Sequence, residues 1–356
     1  MPPLDRGSFS PIGRMLLAAA AAVAVLAGMR VAAPILAPVL IALVITIAWS
    51  PAAEWLRERG VNPTLAASAG IVAGIVVLGL LVALVWISLL QLQAKLPEYQ
   101  PKIAALQATL TEKLRIIPID SSRIFTVDTF QPGNLVGYAV RIIRRLTETA
   151  GNLLILALLI AFMMLEAIGF PAKLRSAFAS NPPVLESFRK LGGGIKSYVL
   201  INAVFGLAAA VVNTALLFAL GVDFAFLWGV LSFLLSFVPN IGFIIALIPP
   251  ALLALIEFGF TRAFIVLGGY TLINFLVDNV IKPRFVGHSL GLSPLIVVLS
   301  LLFWGWLLGP LGALIAIPLS IGLKLLLESF EESRWMAELM GDRASDSNEP
   351  SGAAAP

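Results

Sequence analysis

Long apolar runs, separated by shorter polar segments, dominate the pattern of this chain. They lie near residues 15–33, 34–50, 64–90, 150–168, 198–219, 224–257, 262–281 and 293–327. A helix needs about 20 predominantly apolar residues to cross the hydrocarbon core of a bilayer. The pattern therefore predicts an all-α integral membrane protein with about eight hydrophobic segments.

Two of these runs, 224–257 and 293–327, are too long for one crossing. Each would measure roughly 50 Å as a single helix, against a hydrocarbon core of about 30 Å. The first is interrupted near its middle by "VPNIG" and the second by "LLGPLG". We predict that both form helical hairpins that enter the membrane and turn back. Irregular backbone at that depth must be covered by protein or face a wet cavity.

The linker 91–148 is the one long polar segment between apolar runs. Pro97 and Pro101 are expected to interrupt its helical pattern, which argues against a long coiled coil. The apolar face of that pattern has either its own protomer or another subunit as its partner, and both alternatives stay open. Apolar residues recur there at alternating steps of three and four, apart from the last step, and predict one apolar helical face: Leu89, Leu92, Leu96, Tyr99, Ile103, Leu106, Leu110 and Leu114.

The two predicted hairpins resemble each other. "PNIGFIIALIP" (239–249) and "PLGALIAIP" (310–318) share a proline, a glycine, a small aliphatic run and a final Ile-Pro. Each hairpin also follows a span that carries two asparagines. The pattern predicts an inverted repeat with broken helices, which is a recurrent plan of secondary transporters.

The domain organisation follows from these segments. We predict a cytoplasmic N-terminus at 1–14, N-terminal membrane helices at 15–90, the amphipathic helical linker at 91–148 and a transport core at 149–328 that holds both hairpins. The tail 329–356 is expected to be disordered after 341, because it is small, polar and contains proline. The first apolar stretch resembles a signal peptide, but a second follows at once, so an uncleaved pair of spans is predicted.

Composition narrows the functional class. The chain is 59% hydrophobic and 12% charged, about half the charged share of a soluble protein. It has no cysteine and a single histidine, His288, which excludes disulfides, thiol nucleophiles and cysteine or multi-histidine metal sites. We expect His288 to be solvated or interfacial.

Enzymatic and nucleotide-driven functions find no support in the motifs. The stretch "GGGIKS" (192–197) lacks the glycine that a phosphate-binding loop places before its lysine. A catalytic nucleophile–base–acid constellation is also missing from the sequence. We therefore expect no enzyme activity, no cofactor, no ATP and no resident metal.

The net charge of +4 does not indicate nucleic-acid binding. The basic residues lie in the short polar segments between apolar runs, as they do in cytoplasmic loops of membrane proteins. With both termini in the cytoplasm, the first hairpin enters the cell (inner) membrane from outside and the second from inside. This orientation places the linker 169–197 and the segment around Lys282 in the cytoplasm.

The first predicted tip carries the leading candidates for solute binding or gating. Pro239 removes a backbone donor and Gly242 permits a sharp turn, which frees nearby backbone groups. Together with the Asn240 amide, these groups are expected to hold a hydroxylated solute or a cation. Asn240 acting only as the cap of the second arm is the alternative.

The asparagine-bearing spans supply further candidates. Asn274 and Asp278 are one helical turn apart and share a face, with Asn279 beside them. A carboxylate within a span is costly and usually functional, although Asp278 also stands four residues before Lys282, so a plain ion pair is equally open.

Asn202 and Asn213 are about three helical turns apart and are predicted to line one face, for transport or for interhelical hydrogen bonding.

Gly309, Pro310 and Gly312 are expected to form the second tip, a gate without a polar side chain. Glu166 and Glu257 fall near segment ends, where solvated carboxylates are ordinary.

Several of these stretches resemble the autoinducer-2 exporter family of permeases, from about residue 15 to 328. They are "ILAPVLIALVITIAWSPAAEWLRERG", "SFVPNIGFIIALIPPALLAL" and "NFLVDNVIKPRFVGHSLGLSPLIVVLSLLFWGWLLGPLGALIAIPL". The resemblance implies eight hydrophobic segments, a homo-oligomer (a pentamer) and an elevator-like mechanism with hairpin gates. It also implies efflux of a small polar signal in some members and sodium/proton exchange in others.

The sequence therefore predicts a secondary transporter that exports a small polar signalling molecule of the autoinducer-2 type, used in quorum sensing. A sodium (lithium)/proton antiporter on the same scaffold is the first alternative. The second is a non-transporting membrane scaffold whose linker 91–148 recruits partners. Fold alone does not name the solute.

Overall fold

The computed structural model describes residues 11–114, 153–239, 241–286 and 292–341. Every regular element within these ranges is helical, which confirms the all-α prediction. The helices are α1 (Pro11–Val31), α2 (Ala33–Glu58), α3 (Pro63–Leu114), α4 (Leu153–Ala167), α5 (Phe170–Ala177), α6 (Pro182–Leu220), α7 (Ala225–Leu235), α8 (Ile241–Phe258), α9 (Phe260–Phe275), α10 (Pro283–Val286), α11 (Pro294–Leu308), α12 (Pro310–Leu314), α13 (Ala316–Glu328) and α14 (Arg334–Met340), with a π-helical turn at Leu276–Ile281.

Five helices of the described chain are long and apolar enough to cross a membrane, and the number rises to six if the pair α4–α5, bent by 58°, is one span. The long apolar helices leave large apolar side chains on the outside, among them Val72, Val76 and Leu80 of α3. Such a surface requires lipid around it. The protein is therefore a multi-pass membrane protein. The total of about eight segments and the inverted repeat stay predictions.

Helix α3 is continuous over 52 residues and includes both Pro97 and Pro101. The expected interruption is wrong. Both prolines lie on the exposed side, four residues apart, while Leu96 and Tyr99 on the opposite side are buried. Packing of that buried side compensates for the backbone hydrogen bonds that the prolines cannot donate.

The apolar stripe of α3 packs against its own chain. Leu89, Leu96, Tyr99 and Ile103 belong to one core cluster with residues of α6, α7, α8 and α9. The buried residues of the stripe therefore pack on the protomer itself, and a contact of this helix with another subunit stays a prediction. The side chains of Leu110 and Leu114, and the linker from 115 to 148, lie outside the described residues.

A polar clamp formed by Lys95, Tyr99, Asp223 and Glu257 fastens the end of this interface. Asp223 Oδ2 accepts hydrogen bonds from Lys95 Nζ at 2.6 Å and from Tyr99 Oη at 2.8 Å. Tyr99 Oη also lies 3.2 Å from Glu257 Oε1, and the Asp223 amide donates to Glu257 Oε2 at 3.4 Å. The clamp thus joins α3 to the α6–α7 connection and to the end of α8. Glu257, expected to be an ordinary solvated carboxylate, has a structural partner.

The Asp223 carboxyl titrates below its ordinary range. Burial raises its pKa, but the hydrogen bonds from Lys95 and Tyr99 outweigh burial and hold the pKa low. A carboxylate with a lowered pKa stabilises the folded state above its unfolded pKa, near 4, and loses this contribution as the pH falls through the folded value.

Replacing Asp223 with Asn is expected to destabilise the protein by about 1–3 kcal/mol at neutral pH, because a charge-assisted acceptor of two donors is lost. The melting temperature in detergent measures this change. The matched control is Glu186→Gln, which removes an exposed ion pair with Arg189 and is expected to change little. Equal effects of the two substitutions would contradict the clamp.

The chain turns back at both predicted breaks and forms two helical hairpins, whereas their entry into the membrane from opposite sides stays a prediction. In the first, α7 and α8 pack together across a break that follows Leu235. In the second, Gly309 (φ 76°) turns the chain between α11 and α12. Ser320 Oγ lies 2.7 Å from Ser300 Oγ and accepts from Trp304 Nε1 at 3.0 Å, which holds α13 against α11.

A glycine brings the two arms of each hairpin together. A Cβ on Gly242 would lie 1.9 Å from the Leu235 carbonyl oxygen, and one on Gly312 would lie 2.2 Å from the Trp304 carbonyl oxygen. Only glycine allows this approach. The two hairpins also meet, since Val238 at the first break shares a buried apolar cluster with Trp304 and other residues of the second.

Candidate functional site

A cavity of about 190 Å³ lies beside the break of the first hairpin. Its wall combines apolar residues with hydroxyl, amide and charged side chains from α6, α7, α8, α9 and the π-helical turn. The lining residues are Gly206, Ala209, Ser232, Ser236, Val238, Pro239, Phe243, Asn274, Val277, Asp278 and Lys282.

The backbone of the break is partly satisfied within the hairpin and partly by a tyrosine. Gly242 donates to the Val238 carbonyl at 3.0 Å and Ile241 to the Pro239 carbonyl at 2.7 Å. The Phe237 carbonyl accepts instead from Tyr198 Oη at 2.8 Å. Tyr198 is 3% exposed. A buried tyrosine hydroxyl normally finds a partner, and here that partner is a carbonyl freed by the broken helix.

Tyr198 also connects the first break with the second hairpin. Its ring belongs to a buried cluster with Leu292, Ile317 and Ile321. One side chain of α6 therefore contacts an arm of the second hairpin while its hydroxyl holds the tip of the first. Sequence reasoning missed Tyr198, although a lone tyrosine in an apolar run is a usable signal for a buried hydrogen bond.

The π-helical turn shapes the opposite wall of the cavity. The amide of Lys282 donates to the Val277 carbonyl at 2.8 Å, five residues back. Single π-helical turns are rare and occur frequently at functional sites. This turn places Val277, Asp278 and Lys282 together on the cavity wall.

Lys282 joins the two asparagine-bearing spans. Its Nζ lies 2.7 Å from Asn202 Oδ1 on α6 and 3.3 Å from Asp278 Oδ1 on the π-helical turn. The Lys282 side chain is 22% exposed and Asn202 is 3% exposed. The predicted Asp278–Lys282 ion pair thus exists, but it stands at the cavity and includes a buried amide.

The other wall, between α6 and α7, is held by glycines and a buried amide. Asn213, fully buried, donates through Nδ2 to Ser232 Oγ at 3.1 Å. A Cβ on Gly206 would lie 2.0 Å from Ser236 Oγ, and one on Gly229 would lie 1.9 Å from Thr214 Oγ1. The two helices therefore approach closely, and Ser232 and Ser236 lie at the cavity.

Of the eleven predicted site residues, three line this cavity and two more connect to it through a lining side chain. Pro239, Asn274 and Asp278 line it, Asn202 reaches it through Lys282, and Asn213 reaches it through Ser232. Four contributors were missed by sequence reasoning: Lys282, Ser232, Ser236 and Tyr198.

Other predicted residues lie elsewhere. Asn279 is exposed and does not line the cavity. Gly242 supports the hairpin rather than the wall, and the second tip at 309–312 is also absent from the lining. Asn240 and His288 lie outside the described residues.

Comparisons with known proteins agree in one family. The model of the family described as AI-2E family transporter matches residues 19–332. Over 320 residues the chain is 33% identical to the "AI-2 transport protein TqsA" of Escherichia coli (strain K12), covering 90% of this chain and 93% of that protein.

Two further relatives carry less specific names. A "Putative transport protein" of Haemophilus influenzae is 36% identical over 335 residues, covering 92% of this chain and 96% of its own length. The "Putative transport protein YhhT" of Escherichia coli (strain K12) is 30% identical over 328 residues, at 92% and 94% coverage. The chain therefore belongs to the AI-2E family of transporters.

Proposed function

We propose that this protein is a secondary carrier that exports a small polar signalling molecule of the autoinducer-2 type across the cell inner membrane. The observation that carries the proposal is the mixed polar cavity beside the broken helix of the first hairpin. The name of the Escherichia coli relative, an AI-2 transport protein, supports the solute class.

The size of the cavity fits a small solute. A volume of about 190 Å³ is less than the 300–1,000 Å³ typical of pockets for drug-sized ligands. Hydroxyl groups of Ser232 and Ser236, the Asn274 amide and the Lys282 ammonium offer both donors and acceptors to a hydroxylated molecule.

The mechanism in this proposal is elevator-like, with the two hairpins as gates. Val238 of the first tip packs on the second hairpin, and Tyr198 contacts both, so a movement of one hairpin is transmitted to the other. The N- and C-termini lie in the cytoplasm, and the functional assembly is a homo-oligomer, a pentamer.

A sodium (lithium)/proton antiporter is the second candidate. The observation that favours it is Asp278, the one carboxylate on the cavity wall in the described part of the chain, beside the amide oxygens of the asparagines. One carboxylate would then bind the cation and the proton alternately.

Asn274→Ala is expected to reduce export of the signal at least tenfold, because the wall loses its amide while the fold keeps its packing. Asn279→Ala is the matched control. Both asparagines donate Nδ2 to the carbonyl four residues earlier, but only Asn274 lines the cavity. The measurement is the ratio of external to internal signal in cells without their own exporter. Equal export by the two variants would contradict the assignment of the cavity.

Proteoliposomes separate the two transport functions. An internal pH-sensitive dye that reports proton movement on addition of sodium supports the antiporter, and the absence of that response removes it.

The scaffold alternative predicts that replacing Asn240 and Asp278 leaves the phenotype unchanged. Loss of transport with normal assembly would rule it out.

A further inference from the structure

We propose that the cavity is a site for a monovalent alkali cation, and that Lys282 fills it in this protein as a tethered cation. Its ammonium occupies the position between Asn202 Oδ1 and Asp278 Oδ1 that a sodium ion would otherwise take. The inference rests on the proposed transport function for its purpose, whereas its test measures the effect of sodium on the melting temperature and is independent of export.

The first step is the geometry of the ammonium. Lys282 Nζ lies 2.7 Å from the Asn202 oxygen and 3.3 Å from the Asp278 oxygen, and the two partners come from different helices. The side chain is largely covered, and Asn202 is almost fully buried. The ammonium is therefore held inside the protein, unlike a surface lysine that exchanges freely with water.

The second step is the orientation of the amides. Asn202 and Asn274 both donate Nδ2 to the carbonyl four residues earlier, Tyr198 and Tyr270, at 2.8 Å. This hydrogen bond fixes each amide, so its oxygen is the atom left to accept. Amide and carboxylate oxygens are the ligands that hard cations prefer in proteins.

The third step is charge. The cavity wall described here has one carboxylate, Asp278, and one ammonium, Lys282, so its formal charge is zero. Without the ammonium, the half-exposed Asp278 carboxylate would lose its countercharge and the buried Asn202 oxygen would lose its donor. One carboxylate suits a monovalent ion, whereas divalent ions take more acidic ligands, and the described residues contain no cluster of three such groups.

The fourth step is the placement of the lysine by the backbone. The π-helical turn ends at Ile281, and Pro283 starts α10 immediately afterwards. Lys282 therefore lies between a π-helical turn, whose hydrogen bond runs five residues back, and Pro283, whose ring fixes its own φ angle. A lysine ammonium is a compact point charge with three donors, which is the closest match among side chains to an alkali ion.

The consequence is that the wild-type cavity needs no alkali cation to be balanced. Variants that remove the ammonium are expected to gain a binding site for sodium or lithium. A cation that binds the folded state alone raises the melting temperature.

The experiment compares melting temperatures of the purified full-length protein in sodium chloride and in choline chloride at equal ionic strength. Lys282→Ala is expected to melt roughly 2–4 °C higher in sodium, and the wild type to show no such shift. Lys196→Ala is the control, because Lys196 forms an ion pair with Glu54 at 3.0 Å outside the cavity. No sodium shift in Lys282→Ala, or equal shifts in all three proteins, would overturn the proposal.

A second variant keeps the test decisive if Lys282→Ala does not fold. Lys282→Gln keeps a polar side chain of similar length but removes the charge. It is expected to gain the same sodium shift, and its failure to do so overturns the proposal. Export is measured separately on the wild type. An error in the proposed solute therefore does not affect the interpretation of the sodium-dependent melting.

Discussion

Cysteines introduced together at Gly305 and Ala313 are expected to form a disulfide nearly quantitatively under mild oxidation. A Cβ at position 305 would lie 3.6 Å from the Cβ of Ala313. Disulfides require Cβ atoms about 3.5–4.5 Å apart. In an unbroken helix the same two positions, eight residues apart, would be separated by roughly 12 Å. The disulfide therefore distinguishes a hairpin at Gly309 from a continuous rod.

The chain contains no cysteine, so labelling with a maleimide-polyethylene glycol reports only the introduced pair. Oxidised protein is expected to bind no label, and reduced protein two labels per chain. Val297→Cys with Gly305→Cys is the matched control, because both positions lie in α11, eight residues apart. Its thiols are expected to stay reactive in oxidant. Reactive thiols in the 305/313 pair as well would show that the arms do not meet.

The hairpins were predictable because their signals are local. Proline and glycine act on the backbone where they stand, so "VPNIG" and "LLGPLG" mark the two breaks correctly. The lengths of the two arms were harder to predict from these local signals. In the structure α7 has 11 residues and α8 has 18. Pro249 and Pro250 lie inside α8 without ending it, as neighbouring helices often permit in membrane proteins.

The partners of the site residues were not predictable in the same way. Helical spacing correctly placed Asn274 and Asp278 on one wall, but it gave no sign that Lys282 would reach Asn202, 80 residues earlier. That contact depends on how α6 packs against α9 and on the register of the π-helical turn. Periodicity describes one helix at a time and does not contain this information.

The same limit explains the polar clamp. Tyr99 was recognised as part of the apolar stripe of α3, and Glu257 as a carboxylate near a segment end. The hydrogen bonds that bring both to Asp223 span more than 120 residues for Tyr99 and 34 for Glu257. Only the tertiary packing of α3 on α7 and α8 reveals the cluster.

Gly242→Ala is expected to abolish most export and to lower the stability of the protein by about 1–3 kcal/mol or more. The added methyl group would lie 1.9 Å from the Leu235 carbonyl oxygen and 3.3 Å from the Val238 Cβ. A backbone carbonyl has no rotamer to escape into, so α7 and α8 must separate. The break carries Pro239 and Val238 on the cavity wall, and their displacement changes the cavity itself.

Gly268→Ala is the control, because a Cβ at Gly268 meets no atom within 4 Å and the residue lies inside α9. Alanine favours a helix over glycine by about 1 kcal/mol, so this variant is expected to be as stable as the wild type or slightly more so. Melting temperature in detergent and export in cells are measured for both variants. Normal export and normal melting by Gly242→Ala would mean that the arms of the first hairpin have space between them. The backbone at 237–239 would then not depend on close packing of the two arms for its position at the cavity.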